Sequence, residues 1–144
     1  MIEFRCRLCG KRFSNFEEVK KHVIEYHKVP GKGFNIAVCR LVNFVFDEGI
    51  MYEYLSRFGI DEFEIEDITC RNAWFEVTLG INYNKYSWSE IGQFFDNLKN
   101  NGIRVISLKT DWYGDYGLEE YGLIVKVWLD VRKFLVGVMG RGEV

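Results

Sequence analysis

The chain has 144 residues, 48% of them hydrophobic and 28% charged, and a formal net charge of −2. These values fit an ordinary globular protein with room for one domain and a small module. No apolar run approaches the ~18 residues of a membrane span and none follows a basic start, so neither a transmembrane helix nor a signal peptide is expected, and the protein is placed in the cytoplasm.

The first segment, residues 1–28, carries two cysteines, both histidines of the chain and a basic helix. Its spacing is Cys6-x2-Cys9-x12-His22-x4-His27. Two cysteines three apart can wrap a tight turn around an ion, and histidines five apart on a helix lie on nearly one face. Zinc takes four such ligands tetrahedrally. The twelve residues between Cys9 and His22 suffice for the second strand of a hairpin and the first turns of a helix. Ser14 with Glu17 forms a capping box at the start of that helix. A unit of this size cannot bury enough apolar surface to fold alone, and a structural zinc supplies the difference. Phe4, Phe13 and Val19 provide a small core around it.

In these residues the chain closely resembles the two-Cys, two-His zinc finger family over positions 4–27. Phe4 stands two before the first cysteine and Phe13 four after the second. Val19 takes the usual leucine position, three before His22. The resemblance implies one structural Zn2+ held by Cys6, Cys9, His22 and His27, with no open position for catalysis. It also implies a helix that enters the DNA major groove. The base-reading positions are then Asn15, Glu18 and Lys21, able to pair with adenine, cytosine and guanine respectively. Arg5, Arg7, Lys11, Arg12, Lys20 and Lys28 are the phosphate candidates. Phe16, Val23 and Ile24 form an apolar stripe that the metal core does not need, so the finger is expected to dock on the rest of the chain or on a partner.

Residues 29–33, Val-Pro-Gly-Lys-Gly, are expected to be a linker. From Phe34 to Phe46, apolar residues alternate as in a strand. Asp47 caps a short helix that Gly59 ends. Strands follow at Phe63–Ile65, alternating with Glu62, Glu64 and Glu66, and at Phe75–Ile81. Ser87 and Glu90 form a second capping box on a helix with Ile91, Phe94, Phe95 and Leu98 on its inner face, stopped by Gly102. The last strands are expected at 103–109 and 121–131, separated by a loop from Thr110 to Glu120, with Arg132–Val144 a short helix or an ordered tail. The order is that of an α+β fold in which a ββα zinc finger precedes a ferredoxin-like βαββαβ domain (34–144) with an extra strand. There is no internal repeat.

Charge is divided along the chain. Residues 1–33 hold eight Lys/Arg and four Glu, net +4, and the remainder eleven Lys/Arg and seventeen Asp/Glu, net −6. A polyanion would meet the basic head. Double-stranded DNA is thus the expected partner, bound by a homodimer because one finger reads only about three base pairs. The function expected is that of a transcriptional regulator or accessory DNA-binding factor. The alternative is a protein–protein adaptor that uses the finger and the α+β domain as interaction surfaces. An RNA-binding reading of Arg71–Val77 lacks the glycine and aromatic spacing of RNA-recognition strands. No enzyme activity is expected, since both histidines serve the metal. Cys39 and Cys70 are expected to be buried free thiols. The acids Asp111, Asp115, Glu119 and Glu120, among Trp112, Tyr113 and Tyr116, are expected to be solvated rather than to hold magnesium.

Overall fold

The computed structural model describes residues 2–115 and 118–139, with side chains outside Tyr83 and residues 111–121. The acidic cluster at 111–120 therefore lies outside the described side chains, and residues 140–144 lie outside the described residues. The fold is α+β, with two antiparallel sheets. One sheet has three strands in the order β2–β1–β3, formed by β1 (Glu3–Cys6), β2 (Arg12–Phe13) and β3 (Val42–Val45). The other has four, β4–β5–β7–β6, from β4 (Phe63–Arg71), β5 (Trp74–Asn82), β6 (Arg104–Asp115) and β7 (Leu118–Asp130). The helices are α1 (Phe16–Tyr26), α2 (Gly31–Ile36), α3 (Val38–Leu41), α4 (Glu48–Ser56), α5 (Trp88–Asn100) and α6 (Val131–Met139).

The chain divides into two compact units. Unit 1 comprises 1–50, the β4–β5 turn at 70–74 and the segment from 130 onward; unit 2 comprises 51–69 and 75–129. The ββα segment formed by β1, β2 and α1 therefore shares unit 1 with residues beyond it. β1 pairs with β2 through Phe4↔Phe13 and, on its other side, with β3 through Phe4↔Phe44 and Cys6↔Val42. Phe16, Val19 and Val23 on the inner face of α1 are fully buried. Phe16 meets Phe4 and Phe34, each with ring centroids 5.9 Å away, and Phe44 at 6.3 Å. Two residues of the apolar stripe, Phe16 and Val23, are thus packed within the chain, while Ile24 stays half-buried. Arg132 on α6 covers the same ring from 6.0 Å and pairs with Glu17 at 3.9 Å.

Four expectations change. The linker is not one: Pro30 is the N-cap of α2, with the Phe34 N–H donating to its carbonyl at 2.9 Å. Proline costs nothing at a helix start, where no N–H partner is needed. The strand expected at 34–46 is two short helices and then β3. Phe34 and Val38 are buried and lie four apart, a helical spacing that period two also matches, whereas Ile36 is 71% exposed and would be buried in a strand. β3 then joins the finger's sheet, so the second sheet is built without it and departs from the expected ferredoxin-like strand order. Finally, the expected loop 110–120 narrows, because β6 and β7 pair from Arg104↔Trp128 to Asp115↔Leu118, with one register shift between Val105 and Ser107.

Cys39 and Cys70 are also not free: they form a disulfide across 31 residues, with Cα atoms 5.4 Å apart. That spacing suits a bridge. Elsewhere the local signals hold. Both halves of the Ser87–Glu90 capping box are made at 3.1 Å, and Ile91, Phe94 and Leu98 are buried. Along β5, Phe75, Val77, Leu79 and Ile81 are buried in strict alternation. α4 buries Met51, Tyr54 and Leu55, with Asp47 Oδ1 accepting from the Gly49 N–H at its start.

Candidate metal centre

β1 ends on Cys6. The Cys6 N–H donates to Lys11 O at 2.9 Å, and the Gly10 N–H donates to Cys6 O at 2.8 Å. Gly10 sits at φ +79°, a left-handed turn that glycine takes without strain and that folds Cys9 back toward Cys6. α1 then crosses the hairpin and presents His22 above Phe13, their rings 5.0 Å apart. His27 is the C-cap of α1, its N–H donating to Val23 O at 3.2 Å, and Lys28 at φ +59° turns the chain away.

The ligand atoms of Cys6, Cys9, His22 and His27 all lie within 4.8 Å of one another. Cys9 Sγ is 3.3 Å from His22 Nε2, and the two histidine Nε2 atoms are 3.2 Å apart. A tetrahedral zinc with bonds of about 2.0–2.1 Å to nitrogen and 2.3 Å to sulfur spaces its donors roughly 3.3–3.8 Å apart. The set could hold such an ion by number and type, and the Cys9–His22 and His22–His27 spacings of 3.3 and 3.2 Å lie close to that range. Cys6 is buried and Cys9 exposed, with the two histidines between these extremes. Tyr26, one turn beyond His22, stacks on that ring at 5.2 Å and meets His27 edge-on at 4.9 Å. The spacing His22-x3-Tyr26 contains this contact, since residues four apart share a helix face.

Burial pushes the Cys6 thiol above its ordinary pKa. Burial first, and then the charges of His27 and Lys11, hold the His22 imidazole below its ordinary value. His22 is thus a neutral nitrogen donor at neutral pH, while Cys6 must lose a proton to become a ligand. Metal affinity should therefore fall as pH falls, by about tenfold per unit for the Cys6 proton alone. Competition against a chromophoric chelator between about pH 6 and 8 measures this, and a flat profile would show that the thiols do not bind the metal.

The DNA-reading candidates are placed differently from one another. Asn15, not Ser14, is the N-cap of α1: its Oδ1 accepts from the Glu18 N–H at 3.2 Å. Its carbonyl oxygen is thereby committed to the helix, since Asn–x–x–Glu caps as well as Ser–x–x–Glu. Glu18 and Lys21 are exposed on the outer face. Of the phosphate candidates, Arg5 and Arg12 both face Glu3, at 2.9 and 3.7 Å. Lys11 lies over the Phe13 ring at 5.4 Å. Arg7 turns toward the protein, its guanidinium donating to Cys39 O and Asn43 Oδ1. Lys20, Lys21 and Lys28 make no ion pair among the described residues. The role of Arg7 has no local signal, because its acceptors lie more than thirty residues away.

No family model, curated protein or solved structure matches the chain.

Proposed function

We propose that one structural zinc ion occupies the Cys6–Cys9–His22–His27 centre and that unit 1 binds duplex DNA, as a transcriptional regulator or accessory factor working as a homodimer. The observation that carries this reading is the charge of the two units. Unit 1 has thirteen Lys/Arg and eight Asp/Glu, net +5, and unit 2 has six Lys/Arg and thirteen Asp/Glu, net −7. This contrast is sharper than the one along the sequence, because five further Lys/Arg (Arg40, Arg71, Arg132, Lys133 and Arg141) and only four Asp/Glu join residues 1–33. A polyanion is drawn to unit 1 and repelled by unit 2. The inner face of α1 is used for packing and its outer face presents Glu18 and Lys21. Four protein ligands leave the zinc no open position, which suits a structural role rather than a catalytic one.

The dimer finds its best surface on unit 2. The edge strand β6 exposes Val105 (38%), Ile106 (36%) and Leu108 (54%) between Arg104 and Lys109, whereas β4, the opposite edge, exposes Glu64, Glu66 and Asp67. An apolar edge is the one that pairs with another strand, and two-fold pairing of β6 with the β6 of a second copy closes without further growth.

Selection from a random duplex pool, with a Cys9→Ser control, tests the reading. Enrichment of a short motif, lost in the control, is expected, with two-fold symmetry if the dimer binds. Affinity should fall steeply with salt, and Lys28→Ala, at a phosphate candidate, should lower the slope of log affinity against log salt by about 0.9. Binding indifferent to salt would sink the proposal, and a monomer by sedimentation at assay concentrations would remove the dimer. The adaptor reading draws on Tyr26 and Ile36, each 71% exposed, and Leu8 at 51%. It predicts no duplex affinity and a protein partner lost on zinc removal.

A further inference from the structure

The turn that carries Cys6 and Cys9 is held by more than its metal ligands. Arg7, between the two thiols, donates its backbone N–H to Leu41 O at 2.9 Å, its Nε to Cys39 O at 3.0 Å and its Nη2 to Asn43 Oδ1 at 3.2 Å. All three acceptors belong to α3 and β3. α3 has four residues and no side-chain cap, too short to be stable on its own. Cys39 anchors it twice: its N–H donates to Asn72 O at 2.8 Å, and its Sγ is bonded to Cys70 at the end of β4. The platform under Arg7 is thus stapled to the β4–β5 turn by one covalent bond.

We infer that the Cys39–Cys70 disulfide controls how firmly the neighbouring centre retains its metal, so that the finger responds to redox state. The inference rests on the reading of Cys6, Cys9, His22 and His27 as a zinc site. Reduction by a dithiol proceeds by thiolate attack on one sulfur and displacement by the second thiol. Two electrons pass to the cysteine pair, which takes up two protons, and the dithiol leaves as a disulfide. Cys6 and Cys9 take no part in the exchange. With the staple open, α3 keeps its hydrogen bond to Asn72 but loses its covalent anchor, and the three acceptors that orient Arg7 are less well held. Outer-shell contacts of this kind change metal affinity by roughly 10–100-fold.

The test uses the zinc-loaded full chain, oxidised or reduced beforehand with a phosphine then removed, and follows zinc transfer to excess chromophoric chelator. The reduced protein is expected to release zinc about tenfold faster. Arg7→Ala should release at the faster rate in both states, because the link is cut on the finger side. The Cys39→Ser/Cys70→Ser double variant should match the reduced protein and ignore the phosphine. One zinc per chain in both states with equal release rates overturns this inference and leaves the metal centre standing. Four free thiols in the metal-stripped, unreduced chain overturn it as well. Absence of zinc from both states overturns the metal reading, and this inference with it.

Discussion

Cys9→Ser is expected to leave the purified protein without stoichiometric zinc and to lower its melting temperature by about 10 °C or more. Three ligands remain in that variant, and His22 and His27 then face each other with nothing between their Nε2 atoms, 3.2 Å apart. Structural zinc contributes on the order of 10–16 kcal/mol of apparent folding energy in isolated fingers. Here part of that requirement is met by other means, because Phe4 and Val19 are sealed in a core that includes Phe34 and Phe44. A residual loss of about 3–5 kcal/mol would give the stated shift, at roughly 2–4 °C per kcal/mol for a chain of this size. The structural consequence should be local, with β2 released from β1 and the last turn of α1 frayed around His27. Metal analysis and thermal denaturation, read together, decide the matter. Full zinc content with an unchanged melting temperature would remove Cys9 from the ligand set.

Phe16→Ala carries the second large effect, about 3–5 kcal/mol of lost stability with one zinc per chain still bound. In a finger that stands apart, the first helical residue faces solvent, and its truncation costs at most about 0.5 kcal/mol. In this chain Phe16 is fully buried and lies against Phe4, Phe34 and Phe44, with Arg132 above its ring. Removing it leaves a cavity where β1, α1, α2 and β3 meet. Denaturant unfolding of the zinc-loaded variant measures the loss. A cost near zero would mean that the finger is independent of residues 31–50 after all, and the linker reading of 29–33 would return.

These two predictions separate what was legible locally from what was not. The four ligand positions follow from short-range spacing. A turn of three residues brings Cys6 and Cys9 together and a helical repeat of five does the same for His22 and His27; packing of α1 on the hairpin joins the two pairs. Short-range spacing likewise sets the Ser87–Glu90 cap and the alternation along β5, where every partner in the signal lies within a few residues. The finger's cap was legible only to within one residue, because Ser14-x-x-Glu17 and Asn15-x-x-Glu18 are overlapping signals and backbone geometry selects the second.

The sequence by itself determined the Cys6–Cys9–His22–His27 cluster, the basic and acidic division and most of unit 2, because each depends on residues near one another in the chain or on simple sums of charge. Tertiary structure alone decided that Phe34 and Val38 serve two short helices before β3, since period two and period four coincide at those positions and only the exposure of Ile36 separates them. It also decided that β3 joins β1 rather than the larger sheet, that Arg7 faces inward, and that Cys39 meets Cys70 across 31 residues. Each of these partners is distant in sequence. Pairing of that kind is set by which apolar faces can be buried together, and no local pattern records it.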